Sequence, residues 1–155
     1  RTSGTGQHGG ARLGLRTGLG MERMIGEVSG FVPGRRIDDA GNRLIRYQGG
    51  AKGVLFCSQI AVGEESRLAS RVYGTTASLE WHQQDPNFLT VRHPDGPTET
   101  YKPGHAFLTA AAQRGTRLPA GHPEGLHEAF ANRYSQQMTV VLARAAGGAA
   151  RVDPG

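Results

Sequence analysis

The sequence predicts an α+β fold, a predominantly antiparallel β-meander with a C-terminal amphipathic helix packed on one face. Three observations carry the prediction. Between residues 21 and 102 apolar side chains recur at every second position, in short runs separated by turn residues. The single stretch 49–81, GGAKGVLFCSQIAVGEESRLASRVYGTTASLEW, already reads as strand, turn, strand, turn, strand. After Pro123 the period lengthens to that of a helix, with Leu126, Phe130, Tyr134, Met138 and the pair Val141-Leu142 on one stripe.

The elements follow in order. Residues 1–20 are rich in glycine and poor in large apolar side chains, so a helix over Ala11 to Arg16 is weakened by Gly14 and by Gly9-Gly10, and the segment is expected to fray. From Met21 the alternation begins, Met24, Gly26, Val28, Gly30 and Val32 against Ile25, Glu27, Ser29 and Phe31, until Pro33-Gly34 ends it. Asp38-Asp39-Ala40-Gly41 reads as a solvated turn, and Asn42 to Tyr47 as the next strand. Gln48-Gly49-Gly50-Ala51 supplies the glycine pair of a tight hairpin, where both central residues take positive φ. Lys52 to Val62 is apolar on both faces near Val54 to Cys57, which predicts a covered central strand. Arg67 to Tyr73, Ser78 to His82, Phe88 to His93 and Thr98 to Lys102 complete the meander through turns at Gly63-Glu64-Glu65, Gly74-Thr75-Thr76 and His93-Pro94-Asp95-Gly96-Pro97. Residues 103–122 form an irregular connection around a small alanine-rich turn, the helix runs from Pro123 to about Ala145, and 147–155 form a disordered tail.

Composition bounds the function. At 155 residues the chain makes one ordinary domain, 21–146, with a glycine-rich leader over 1–20. No apolar run is long enough for a membrane-spanning helix. The net charge of +5 comes from dispersed arginines with no basic stripe and no interleaved aromatics, which argues against nucleic acid. The one cysteine, Cys57, rules out a disulfide framework and points to a reducing, cytoplasmic compartment, where it reads as a small strand side chain.

Few residues announce chemistry. Gly4, Gly6, Gly9 and Gly10 do not follow a strand in the order that cradles a dinucleotide, so the chain carries no cofactor site of its own. The six histidines lack metal-ligand spacing; His122 and His127, five apart, do not share a helix face. His8 sits in a glycine-rich loop, and a reactive role there needs a partner. Glu124 falls in the first helical turn, where a carboxylate meets the positive end of the helix dipole, with His122 just before it. Asp38-Asp39 and Glu64-Glu65 read as exposed turns.

Taken together and in order, several motifs resemble the C-terminal domain of the Gfo/Idh/MocA oxidoreductases. They are Asp38-Asp39, Leu44-Ile45-Arg46-Tyr47, Gly49-Gly50-Ala51-Lys52-Gly53, Ser58-Gln59-Ile60, Gly63-Glu64-Glu65, Arg71-Val72-Tyr73-Gly74, Ser78-Leu79-Glu80-Trp81 and 118–125, LPAGHPEG, followed by Glu128-Ala129-Phe130-Ala131-Asn132. The resemblance spans roughly residues 17–135. It implies a substrate-binding and oligomerisation domain that in such enzymes follows a Rossmann domain carrying NAD or NADP. The substrates implied are sugars or polyols, oxidised at a CH–OH group, and the partners a homo-oligomer formed through the sheet and the Rossmann domain itself. The family's Asp-x-Gly-x-His motif falls on 4–8, where Gly6 and His8 match and Gly4 replaces the aspartate. His8 is thereby implied as the general base, and His122 and Glu124 as substrate-side residues. Residues 1–20 then read as a remnant of the catalytic-motif helix. The family's Glu-Lys-Pro lysine has no counterpart, so the chain is expected to be a fragment inactive alone. The alternative is a catalytically dead sheet module used for self-association or protein interaction.

Overall fold

The computed structural model describes residues 19–148. These fall into two compact units, 19–65 and 66–148. His8, Gly4, the glycine-rich leader to residue 18 and the tail from 149 lie outside the described residues.

The first unit is a sheet of three antiparallel strands, β1 (Met21–Ser29), β2 (Ala40–Tyr47) and β3 (Lys52–Ser58), in the order β1-β2-β3. Strand β2 is in the middle, and its alternation sorts the unit. Gly41, Arg43, Ile45 and Tyr47 are buried, whereas Asn42, Leu44 and Arg46 are exposed. Directly paired residues share a face, so Met24, Val28, Leu55 and Cys57 lie on the same side as this buried row, with Met24 and Val28 on the edge strand still 40 % and 50 % exposed. The other face stays open, with Ile25 57 %, Leu44 63 %, Val54 79 % and Phe56 64 % exposed.

That openness corrects one expectation. Lys52 to Val62 was predicted as a covered central strand, but β3 ends at Ser58 and is an edge. Apolar residues on both faces imply cover on both faces only if a second layer is present, and within this unit the outer row has none. The hairpin before it behaves as its glycines require: Gly49 and Gly50 take φ of 83° and 88°.

The connection between β1 and β2 corrects another. Asp39, expected in a solvated turn, is 1 % exposed. Its Oδ2 accepts the backbone N–H groups of Phe31 and Val32, both at 2.7 Å, and Oδ1 accepts Arg35 Nη1 at 2.6 Å. Strand β1 therefore ends at Ser29 rather than running to Val32, because the next amides turn to a carboxylate instead of a ladder. Those amides, the Val32 N–H foremost, with the Arg35 guanidinium, hold the Asp39 carboxyl below its ordinary range against the opposing effect of burial. Gln59 N–H donates to the Asp39 carbonyl, so the same residue ties down the end of β3.

The second unit is a four-stranded antiparallel meander, β4 (Ala69–Tyr73), β5 (Ser78–His82), β6 (Leu89–Arg92) and β7 (Thr98–Tyr101), followed by α1 (Ala110–Gly115) and α2 (Leu126–Ala145). The predicted α+β class and antiparallel strand succession thus hold, distributed over two sheets. The chain leaves the first sheet through residues 59–68, where Gly63 and Glu65 take φ of 83° and 50°. Pairing places Val72, Leu79 and Val91 on one face with Trp81, Leu89 and Tyr101. The helix α2 carries the predicted apolar stripe, yet no residue of it is buried; Leu126, Phe130, Tyr134, Met138, Val141 and Leu142 are each more than half exposed.

The opposite face of this sheet is polar and centred on Glu80. Its Oε1 meets Arg71 Nε at 2.8 Å and His82 Nε2 at 3.0 Å, and its Oε2 meets Arg92 Nη1 at 2.6 Å. Three strands are cross-linked by one side chain. The hydrogen bond from His82, then those from Arg92 and Arg71, lower the Glu80 carboxyl from 4.5 to about 2. A depressed carboxylate pKa stabilises the fold above the unfolded value and ceases to do so as pH falls through the folded one. The wild-type chain is therefore expected to lose stability as pH drops from 4.5 towards 2, and Glu80→Gln to show a shallower loss over that window. Urea unfolding of both proteins across the window checks this; equal slopes would show that the network contributes nothing.

Candidate functional site

The sequence-predicted site residues that the structure describes, His122 and Glu124, lie on one loop, 116–125, just before α2. The loop is shaped by a carboxylate. Glu124 Oε1 accepts the backbone N–H groups of Arg117 at 2.7 Å and Leu118 at 2.6 Å, closing the loop on itself. Arg117 then anchors it to the helix, Nε on Asn132 Oδ1 at 2.7 Å and Nη2 on Ser135 Oγ at 3.2 Å. Asn132 returns a bond from Nδ2 to the Gly115 carbonyl at the end of α1. One glycine is needed where two loops meet: Gly104 has φ of 81°, and a Cβ there would lie 2.6 Å from the Ala120 nitrogen.

The helix begins at Gly125, whose N–H donates to Glu128 Oε2 at 2.7 Å. That is half of a capping box, since glycine has no side chain to return the bond. The same contact heads the causes that lower the Glu128 carboxyl. His122 is exposed, and its Nδ1 lies 3.2 Å from the Pro119 carbonyl. With the proton on Nδ1 that contact is a hydrogen bond, and Nε2 presents a lone pair to solvent. The loop therefore carries an exposed imidazole two residues from a carboxylate whose Oε1 is committed to backbone.

Sequence reasoning missed the residue that joins this loop to the sheet. Asn87, in the β5–β6 connection, donates from Nδ2 to the Glu124 carbonyl at 2.8 Å and accepts the Glu124 N–H on Oδ1 at 2.9 Å. The pair imitates a rung of β-ladder between segments 37 residues apart. Its neighbours reinforce the corner: Trp81 Nε1 donates to the Pro86 carbonyl, and Lys102 Nζ lies 5.1 Å from the Phe88 ring centroid. The signal available beforehand was an asparagine after Asp-Pro in a turn, which marks the turn and not the partner.

The described residues do not fit a dinucleotide. Pyrophosphate sites use a glycine-rich turn from a strand directly into a helix. Here the strands lead into turns or loops, α1 and α2 follow loops, and the N-terminus of α2 is engaged by its own Glu128. Among the described residues no cluster of histidine, cysteine, aspartate and glutamate could hold a metal ion, and no helix is long and apolar enough to cross a membrane.

Comparison with known proteins gives this geometry a lineage. No family model matches the chain. An uncharacterised oxidoreductase of Bacillus subtilis, YfiI, is 33 % identical over 115 residues, covering 74 % of this chain and 29 % of that protein. The crystal structure of an oxidoreductase from Sinorhizobium meliloti matches with a TM-score of 0.75 and 42 % identity, over 81 % of this chain and 37 % of that one. The chain corresponds to the C-terminal region of Gfo/Idh-like oxidoreductases. An inositol dehydrogenase homologue from Azotobacter vinelandii, solved with NADH and myo-inositol, shares the fold at a TM-score of 0.76 and 32 % identity, over 83 % of this chain and 34 % of that one. This Gfo/Idh-like chain spans about a third of the length of the relatives it matches.

If the Asn87 clasp fixes the candidate loop, Asn87→Ala leaves the Glu124 N–H and carbonyl without partners. The variant is expected to lose about 1–2 kcal/mol in urea unfolding. An unchanged midpoint would show that the loop stands without the clasp.

Proposed function

We propose that this chain is the substrate-binding and oligomerisation part of an NAD(P)-dependent oxidoreductase acting on a sugar or polyol. The observation that carries the reading is the likeness to the inositol dehydrogenase homologue solved with NADH and myo-inositol. In this reading the hydride acceptor, NAD or NADP, belongs to a Rossmann domain outside residues 1–155. The chain's own residues supply the other half of the chemistry. His8 accepts the proton of the substrate hydroxyl, a task suited to an imidazole at neutral pH. Gly4 withholds the carboxylate that would orient that imidazole. His122 and Glu124 face the substrate from the loop before α2. The chain alone is inactive and resides in the cytoplasm.

The open face of the first sheet supports the oligomeric part of the reading. Four large apolar side chains, Ile25, Leu44, Val54 and Phe56, are each more than half exposed on one side. An apolar face of that kind is buried by association. The same face supports the second reading, a catalytically silent self-associating module, in which Gly4 marks the loss of activity.

The first of two experiments separates these readings, and the second tests the assembly they share. The chain joined to the remaining, N-terminal part of the Azotobacter homologue solved with NADH and myo-inositol is expected to oxidise polyols such as myo-inositol with NAD or NADP. His8→Asn in that protein should lower kcat by about a hundredfold or more, and Gly4→Asp should raise it. A folded, inactive hybrid would overturn the enzyme reading in favour of the silent module. For the assembly, sedimentation of the 155-residue chain is expected to show a dimer or larger species that Val54→Glu with Phe56→Glu converts to monomer. A wild-type monomer at high concentration would overturn the oligomer.

A further inference from the structure

Arg43 is a buried arginine with one guanidinium nitrogen left unanswered. It stands on the inner row of β2 between Gly41 and Ile45 and is 8 % exposed. Its Nη1 is buried with no hydrogen-bond partner. The fold makes room for the side chain: opposite it on β1 is Gly26, where a Cβ would come 2.8 Å from Arg43 Cγ and 2.8 Å from the Asn42 carbonyl oxygen. A guanidinium stays charged at every physiological pH, so burial without an acceptor is costly, and removing the charge is commonly stabilising. The nearby Asp39 carboxylate does not serve, because Phe31, Val32 and Arg35 occupy it.

Arg43 also forms part of the wall of a cavity of about 130 Å³, together with Asp38, Asp39, Gly41, Cys57, Ser58 and Gln59. At ~30 Å³ per water, that is space for about four waters, or for an acid of about two or three carbons. Ser58 and Gln59 bring further hydrogen-bond donors among the lining residues. Ser58 Oγ accepts the Ile60 N–H at 3.1 Å, which leaves its own hydrogen to give, and Gln59 has an amide. Two carboxylates on the same wall repel a dianion more strongly than a monoanion. Cys57 Sγ donates to the Gly41 carbonyl at 3.5 Å and adds no charge in its thiol form.

We propose that this cavity binds a small monocarboxylate, its carboxylate group paired with the Arg43 guanidinium in the two-pronged geometry that arginine favours. The site is separate from the loop that carries His122 and Glu124, and it does not depend on the oxidoreductase reading.

The test is thermal unfolding of the 155-residue chain at pH 7 and constant ionic strength, with sodium acetate exchanged for sodium chloride, beside a second series with sodium sulfate. Acetate is expected to raise the wild-type Tm along a saturating curve, by about 5 °C or more near a hundred times Kd. Sulfate should raise it only as an excluded salt does, without saturation and equally in wild type and Arg43→Met. Arg43→Met, which keeps an unbranched stem and removes the charge, should melt above the wild type without acetate and show no acetate response. Ser58→Ala should need a several-fold higher acetate concentration for the same shift. The proposal is overturned by a flat wild-type response, by an equal response in Arg43→Met, or by sulfate matching acetate. Should Arg43→Met not fold, the Arg43 Nε–H resonance decides: a saturable shift with acetate supports the site, and a stationary resonance overturns it.

Discussion

Loops in this protein are held by carboxylates that collect stray backbone amides. Asp39 takes the N–H groups of Phe31 and Val32, Glu124 those of Arg117 and Leu118, and Glu128 that of Gly125. Each gathers donors that no strand or helix can use, and a buried amide without an acceptor costs more than a formed bond returns. The short strands depend on these joints. Strand β2 could not enter the middle of its sheet if the 30–38 connection were loose, and the loop before α2 could not present His122 if Glu124 faced outwards. Charge-assisted bonds of this kind are among the stronger ones available to a small fold.

The elements legible in the sequence are those whose signal is local. Strand β5, Ser78–His82, was read to the residue because the Gly74-Thr75-Thr76 turn marks its start. The Gly49-Gly50 hairpin was equally plain, since positive φ at two consecutive positions is a demand that glycine meets best. The helix stripe from Leu126 to Leu142 was visible too, whereas its exposure was not. Periodicity tells which residues would share a face and is silent about whether anything covers that face.

What escaped was set by partners distant along the chain. Asp38 and Asp39 are the same residue type in the same turn, and only the approach of Phe31, Val32 and Arg35 gives the second one a buried role. Arg43 was passed over between Asn42 and Leu44, because its inward direction follows from register against Gly26 and Leu55. Of the candidate site, His122 and Glu124 were named beforehand through family likeness. Asn87, which fixes their loop, acts across 37 residues and leaves no mark in local pattern.

The two edges of the first sheet are not alike. Strand β1 breaks register between Met21 and Arg23 and carries Glu22, Arg23 and Glu27, devices that keep foreign strands from adding. Strand β3, KGVLFCS, has no proline, no irregular register with β2 and one charge, at its first residue. Its free side is a template for another extended chain, and its core, Gly53 to Cys57, has the uncharged, β-prone character of segments that stack into fibrils. Where that edge is covered by an orderly neighbour it extends a sheet. Left open, it is the side of this sheet on which a further strand would add.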